Sequence, residues 1–384
     1  MGRLHLFLKE RRGNGRMKRR KMYFRFIVLI ISLCCIMIIV FLKKWQREET
    51  KRFVKQLGPG FNLGNTLDTH DLHFETKNPS DFETYWGNPV TTREMIQDIK
   101  AAGFNVLRVP VTWYEHMDEN GMIDEVWLHR VQQVVDYGLQ AGMYVIINSH
   151  HDSWYTPVDE HLPKARENMN RLWSQIAERF KEYDQRLLFE SMNEPRLIGK
   201  KEEWGEGTPR SRQIINELNE TFVETVRASG GQNVNRYLIL PTYCARTDEV
   251  ILKDFRLPKG NKLILSIHLY LPYEFCLNIK GTSKFNQKDF MDTEEIDKVF
   301  KDLNRLFVSK GVPVIITEFS AVDKKNEQQR IAWACYIREQ AEKLGIAYVW
   351  WDAGPGEEQD KPFPLYNRHT RKWLFTNLKD ALTE

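Results

Sequence analysis

The feature that most restricts what this chain can fold into is a rhythm. From about residue 57 to the C-terminus, eight short apolar runs alternate with longer amphipathic segments. The runs lie at 60–66, 105–111, 144–148, 187–192, 237–240, 263–269, 313–319 and 346–351. Several are rich in β-branched residues and near-continuous, the pattern of strands covered on both faces. Helical signals fill the gaps. The segment 91–102 opens with Thr91 and Glu94, a capping-box pair, places Met95, Ile96, Ile99 and Ala102 on one face, and stops at Gly103. The segment 124–141 carries Leu128, Val131, Val135 and Leu139 as a stripe and stops at Gly142, and Met169, Leu172, Trp173, Ile176 and Phe180 line a third helix. Others read at 212–228, 292–309, 328–344 and near the C-terminus, with a weaker one at 247–255. Eight strands interleaved with helices, with no linker between them, predict an α/β chain: a (β/α)8 barrel over 57–384. An open doubly wound sheet would need a nucleotide fingerprint after its first strand, and Gly60-Phe61-Asn62-Leu63-Gly64 lacks the spacing.

The first 56 residues follow other rules. Residues 1–25 form a basic segment with ten Lys and Arg and one acidic residue, Glu10. The net charge of +4 is therefore local, since the remaining chain holds 46 basic and 51 acidic residues. That balance argues against a nucleic-acid partner. Residues 26–42, FIVLIISLCCIMIIVFL, are apolar apart from Ser32. Their length is at the short end of what a helix needs to cross a hydrocarbon core of roughly 30 Å, and Tyr23 and Phe24 can extend it if Arg25 snorkels. Lys18 to Lys21 and Arg25 put the N-terminus on the cytoplasmic side. The expectation is a single-pass anchor in the cell membrane, a charged connector at 43–56, and an extracellular barrel. A cleaved signal peptide is the rival, but Lys43 to Arg47 offers no small-residue cleavage site. Cys244, Cys276 and Cys335 lie outside the anchor, are odd in number and lack metal-type spacing. Isolated thiols or one disulfide both fit.

In a barrel of this kind chemistry sits at the C-terminal ends of the strands. The runs deliver, in order, Asn65 and Asp68; Arg108; His150, His151 and Asp152; Asn193 and Glu194; His268 and Tyr270; Glu318; and Trp350, Trp351 and Asp352. Glu194 and Glu318 each end an apolar strand. Two carboxylates flanking one acetal are what glycoside cleavage requires, one protonated to assist the leaving oxygen and one ionised. Arg108 can keep a neighbouring carboxylate ionised. His268 and Tyr270 alternate with Leu269, so either can hydrogen-bond a catalytic carboxylate. Adjacent His150 and His151 should point to opposite sides of a strand, which argues against a shared metal. Trp351 offers an indole face to a sugar ring, and Trp86, Trp113, Trp154 and Trp204 lie in segments where subsites could form.

Taken together, Gly60 to Asp68, Trp86-Gly87-Asn88-Pro89, Ala102 to Pro110, Asn148 to Asp152, Asn193-Glu194-Pro195, His268-Leu269-Tyr270, Thr317-Glu318-Phe319 and Trp351-Asp352 resemble glycoside hydrolase family 5, the endo-β-1,4-glucanase group. The resemblance implies a retaining mechanism with Glu194 as acid/base and Glu318 as nucleophile, the latter positioned by Arg108 and Tyr270. It also implies Asn193 on the sugar 2-hydroxyl, His150 and His268 in the polar floor, and Trp351 as platform. No cofactor is implied. The implied substrate is a β-1,4-linked glucan, of cellulose, mixed-linkage or xyloglucan type; a β-mannanase and a non-catalytic surface carbohydrate-binding protein are the alternatives. Phe61 stands where many relatives have Trp, and Ala353 where Asn is common. The loops after the seventh and eighth strands read as short, which predicts an open cleft.

Overall fold

The computed structural model describes the backbone of residues 2–354 and 363–384; within it, the side chains of residues 2–24 and of Ile27, Ile39, Val40, Leu42 and Lys43 lie outside the described residues. The chain divides into two units, 1–48 and 49–384. The first is helical. Helix α1 is assigned over Gly2–Leu57, and within the first unit Phe26, Leu29, Ile31, Met37 and Phe41 are all exposed. Among the described residues no helix is long and apolar enough to cross a membrane, and part of the expected span 26–42 lies outside them.

The second unit is a closed barrel of eight parallel strands in sequence order. The strands are β1 Pro59–Leu63, β2 Val106–Val109, β3 Tyr144–Asn148, β4 Leu187–Glu190, β5 Leu238–Pro241, β6 Leu263–Leu269, β7 Val314–Phe319 and β8 Ala347–Asp352, each within three residues of its predicted position. Pairing of β1 with β8, Asn62 opposite Trp351, closes the ring. The larger helices are α3 Arg93–Ala101, α4 Glu125–Gln140, α5 Leu162–Arg179, α6 Pro209–Ala228, α9 Phe290–Leu306, α10 Glu327–Leu344 and α11 Thr376–Thr383, with shorter turns between them at α2 Pro79–Tyr85, α7 Glu249–Asp254 and α8 Tyr273–Cys276. Their apolar stripes face the strands; Leu128, Val131 and Val135 of α4 are buried as the spacing predicts.

Two local expectations fail. The cap of α3 is Thr92, whose side chain accepts from Met95 N; Thr91 N instead donates to Glu83 Oε2 at 2.8 Å, so the capping-box pair does not form at Thr91. The segment after β8 is long, not short: it runs from Ala353 to Phe375 and contains the small hairpin β9 Tyr366–Asn367 and β10 Lys372–Trp373. Of the two readings left open for the cysteines of the second unit, isolated thiols hold: Cys244, Cys276 and Cys335 are all free.

The N-terminal end of the barrel is closed by the last turns of α1. Val54 and Leu57 are buried among Val106, Ile146, Leu188, Ile239, Ile264, Ile315 and Val349, residues from the first half of the strands β2 to β8. Phe53 stacks on Tyr237 and meets Tyr144 edge-on. The connector is thus ordered helix from Glu49 onward, and its apolar side chains complete the barrel floor.

Candidate active site

The opposite end of the barrel is polar. Arg108, fully buried, is its hub. Its Nη1 donates to Glu318 Oε1 at 2.7 Å and to Asn62 Oδ1 at 2.9 Å, its Nη2 to Asn193 Oδ1 at 2.7 Å, and its Nε to Glu190 Oε2 at 2.6 Å. Glu318 ends β7 and also accepts from Tyr270 Oη at 3.0 Å. The guanidinium and the phenol orient this carboxylate, and both donate to its ionised form. Glu194 lies just past β4. Its Oε1 is 2.7 Å from His268 Nδ1, and the same nitrogen is 3.5 Å from Glu318 Oε2. One oxygen of Glu194, one of Glu318 and one nitrogen of His268 all lie within 4.8 Å of one another. The two carboxyl groups face each other across a gap that fits direct covalent capture of a sugar, since the wider separations of inverting enzymes leave room for a water, at about 6.5–9.5 Å.

These three groups titrate as a unit. Burial lowers His268, but the charges of Glu318 and Glu194 outweigh it and hold the imidazole above its ordinary value of 6.5. Burial outweighs the pull of His268 and Arg108 and leaves Glu318 above the usual carboxyl value. Burial also raises Glu194, yet the hydrogen bond and charge of His268 bring it below the usual carboxyl value. The three groups share their protons across one contact, His268 Nδ1 against Glu194 Oε1. Glu194 is the more open carboxylate, its side chain 20% exposed against 6% for Glu318. A sugar covering it strengthens the burial contribution and favours the proton on Glu194, where bond cleavage needs it.

The remaining predicted residues divide. His150 is buried, hydrogen-bonds Asn148 Nδ2 through Nδ1 at 3.0 Å, and stacks flat against Trp351, 5.7 Å between ring centres. Trp351 is packed so closely on β1 that a Cβ at Gly64 would come within 2.7 Å of its ring, which is why glycine stands there. His151 is exposed. Its ring is 4.6 Å from those of both His150 and His70, so the two adjacent imidazoles do not point apart. Strand β3 stops at Asn148, and strand alternation no longer applies two residues later. Asn65 adopts a left-handed conformation, φ 55°, and its carbonyl accepts from Asn88 Nδ2.

Three acidic residues grouped with the site by sequence serve the backbone. Asp68 accepts from the amides of Asn65 and Thr66. Asp152 accepts from those of Trp113 and Tyr114, with Ser149 Oγ on its other oxygen. Asp352 accepts from Gly354, Leu365 and Tyr366 and pairs with Arg368, tying down the segment after β8. Trp350 and Trp113 are wholly buried, whereas Trp204 is 58% exposed. Trp204 stands over the Arg196 guanidinium at 4.1 Å. It lines a cavity of about 830 Å³ that opens from Glu194, with Arg246, Tyr270 and Tyr273 on its walls.

Two residues of the hub were missed from sequence. Asn62 accepts from Arg108 and donates to the carbonyls of Thr317, Val349 and Trp350. Glu190 is the other. Both interrupt apolar runs at positions that face the barrel interior, and a polar residue at such a position is the signal that could have found them.

Residues 68–357 match the model of the cellulase family, glycosyl hydrolase family 5. The chain belongs to glycoside hydrolase family 5. It is 41% identical to endoglucanase A of Clostridium longisporum over 339 residues, covering 87% of this chain and 65% of that one. Against endoglucanase B of Ruminococcus albus it is 42% identical over 337 residues, covering 87% and 80%. The chain thus spans just under two thirds of the first relative's length. Among solved structures, it is similar to a GH5-4 broad specificity endoglucanase from Ruminococcus champanellensis with bound cellotriose, with TM-score 0.83 and 40% identity over 87% of this chain and 98% of that one. A family 5 lichenase from Caldicellulosiruptor sp. F32, a mutant in complex with cellotetraose, gives 0.84 and 38% identity over 87% and 94%.

Proposed function

We propose that this family 5 chain is a retaining endo-β-1,4-glucanase acting on cellulose-type, mixed-linkage or related β-glucans. The carrying observation is the meeting of Glu194 and Glu318 oxygens within 4.8 Å. Glu318 attacks the anomeric carbon of a sugar resting on Trp351 while Glu194 gives its proton to the departing oxygen. A glycosyl ester forms and the leaving chain is released along the cavity beside Trp204. Glu194, now ionised, takes a proton from water, the resulting hydroxide attacks the ester carbon, and Glu318 departs as carboxylate with configuration retained. Arg108 and Tyr270 orient Glu318, Asn193 meets the 2-hydroxyl, and His150 and His268 hydrogen-bond around the reacting sugar. The names of the relatives, endoglucanases and a lichenase with cello-oligosaccharides bound, support this substrate class. The test is hydrolysis of carboxymethylcellulose, lichenan, xyloglucan and glucomannan by the full chain in detergent, with product configuration followed by NMR. Turnover with retained configuration is expected; inversion, or binding without turnover on every polymer, overturns the reading.

Residues 26–42 we assign to a membrane anchor with the barrel outside the cell. A helix of that length spans about 25 Å, and its described apolar side chains are exposed rather than buried in a core. The full chain should stay with membranes through an alkaline carbonate wash, and a variant lacking 26–42 should not. Release of the full chain by the wash would sink the assignment.

A further inference from the structure

Glu190 closes β4, four residues before Glu194, and is wholly buried. It cannot reach a sugar. Its Oε2 accepts from Arg108 Nε at 2.6 Å, and its Oε1 accepts from Ser266 Oγ at 3.0 Å. Ser266 Oγ lies 2.6 Å from Thr317 Oγ1, on the residue before Glu318. One guanidinium therefore meets two buried carboxylates: Glu190 along its Nε edge and Glu318 through Nη1. Because the guanidinium is a rigid plane, fixing its Nε edge fixes where Nη1 points.

The charges matter as much as the geometry. Glu318 is faced by Arg108 from β2, Glu194 beyond β4, His268 from β6 and Tyr270 just past it. To attack, Glu318 must give electron density to the anomeric carbon. A buried cation facing it alone would hold that density on the oxygens and slow the attack. A second carboxylate on the same cation offsets this.

We propose that Glu190 is a positioning residue of the cleavage step: it locks Arg108 through Nε and balances its charge, so that Glu318 is oriented yet free to attack. The proposal rests on Glu318 being the nucleophile.

Glu190→Gln keeps the shape and removes the charge. Arg108 then acts on Glu318 more fully, the ionised form of Glu318 is favoured, and the acid limb of kcat/KM moves to lower pH, by roughly half a unit or more. We expect kcat to fall about 10-fold or more while KM for a soluble β-glucan changes little, the pattern of an interaction realised at the transition state. Glu190→Asp keeps the charge and shortens the reach; it should lower kcat and leave the acid limb in place. An acid limb that stays or rises in Glu190→Gln overturns the proposal, as does an unchanged kcat in either variant. If Glu190→Gln does not fold, Glu190→Asp decides by its kcat. Glu318→Gln assayed alongside separates the two claims: if it remains active, the assignment of the nucleophile has failed rather than the role of Glu190.

Discussion

At the floor of the barrel Val54 and Leu57 fill an apolar ring supplied by the early residues of the strands. At the mouth the later residues of the same strands supply Asn62, Arg108, Glu190 and Glu318, joined by Asn193, Glu194 and His268 just beyond or on them. The floor is held by close packing, which tolerates a methyl more or less at a cost in stability. The mouth is held by hydrogen bonds among buried charges, where one lost partner strands another. The difference teaches where each kind of substitution should register: at the floor in stability with chemistry intact, at the mouth in chemistry.

The sharpest separation comes from the carboxylates. Glu318→Gln should lower kcat by roughly 10⁴-fold or more on β-glucan, and Glu194→Gln by about 10²–10⁴-fold. The two differ on an aryl β-cellobioside with a strongly acidic phenol, whose departure needs no proton. Glu194→Gln should recover much of its first-step rate there, seen as a burst of phenol, and Glu318→Gln should not. Equal recovery would break the assignment of roles.

Leu57→Ala tests the other end. Removing a fully buried Leu side chain costs about 2–5 kcal/mol, read as a lower denaturation midpoint, while kcat and the pH profile of the folded fraction stay as in the parent chain. Altered kinetics with unchanged stability would show that the two ends are not independent.

How much of this contrast was legible beforehand follows from its physics. Buried parallel strands leave continuous apolar runs, so all eight were visible, and in a barrel their C-terminal ends carry the chemistry; hence Arg108, Glu194, His268, Tyr270 and Glu318 were named and do converge. Asp68, Asp152 and Asp352 were visible for the same reason, but a sequence does not separate a carboxylate aimed at a ligand from one accepting amides two to thirty-nine residues away. Glu190 and Asn62 were hidden because each sits inside an apolar run. The floor was hidden too: Thr50, Val54 and Leu57 lie three and four residues apart on one helical face, yet the charged residues between them made 43–56 read as a connector.

His268 sharpens the comparison within the mouth itself. Its imidazole is held above 6.5, so it keeps its proton to higher pH, and the alkaline limb of the wild-type profile should lie above that value. In His268→Gln the unit loses this proton store, and the alkaline limb should move down. Glu318 meanwhile loses a cation that draws it down, so the acid limb should move up. The bell should narrow from both sides, unlike the one-sided shift of Glu190→Gln. A bell of unchanged width would show that His268 carries no proton relevant to turnover.

The smallest effect belongs to the rim, where neither close packing nor buried charge operates. Trp204 rests one face on Arg196 and leaves the rest to solvent at the edge of the cavity that opens from Glu194. Trp204→Ala removes little that the fold depends on, so the denaturation midpoint should not move. If leaving-group sugars run along this cavity, losing one stacking face should raise KM for a long β-glucan by a few-fold, since such contacts contribute on the order of 1 kcal/mol. An aryl β-cellobioside places only its phenol on that side and should be turned over as before. A KM change shared equally by polymer and aryl glycoside would move Trp204 to the other arm of the cleft, and with it the direction in which the chain threads the site.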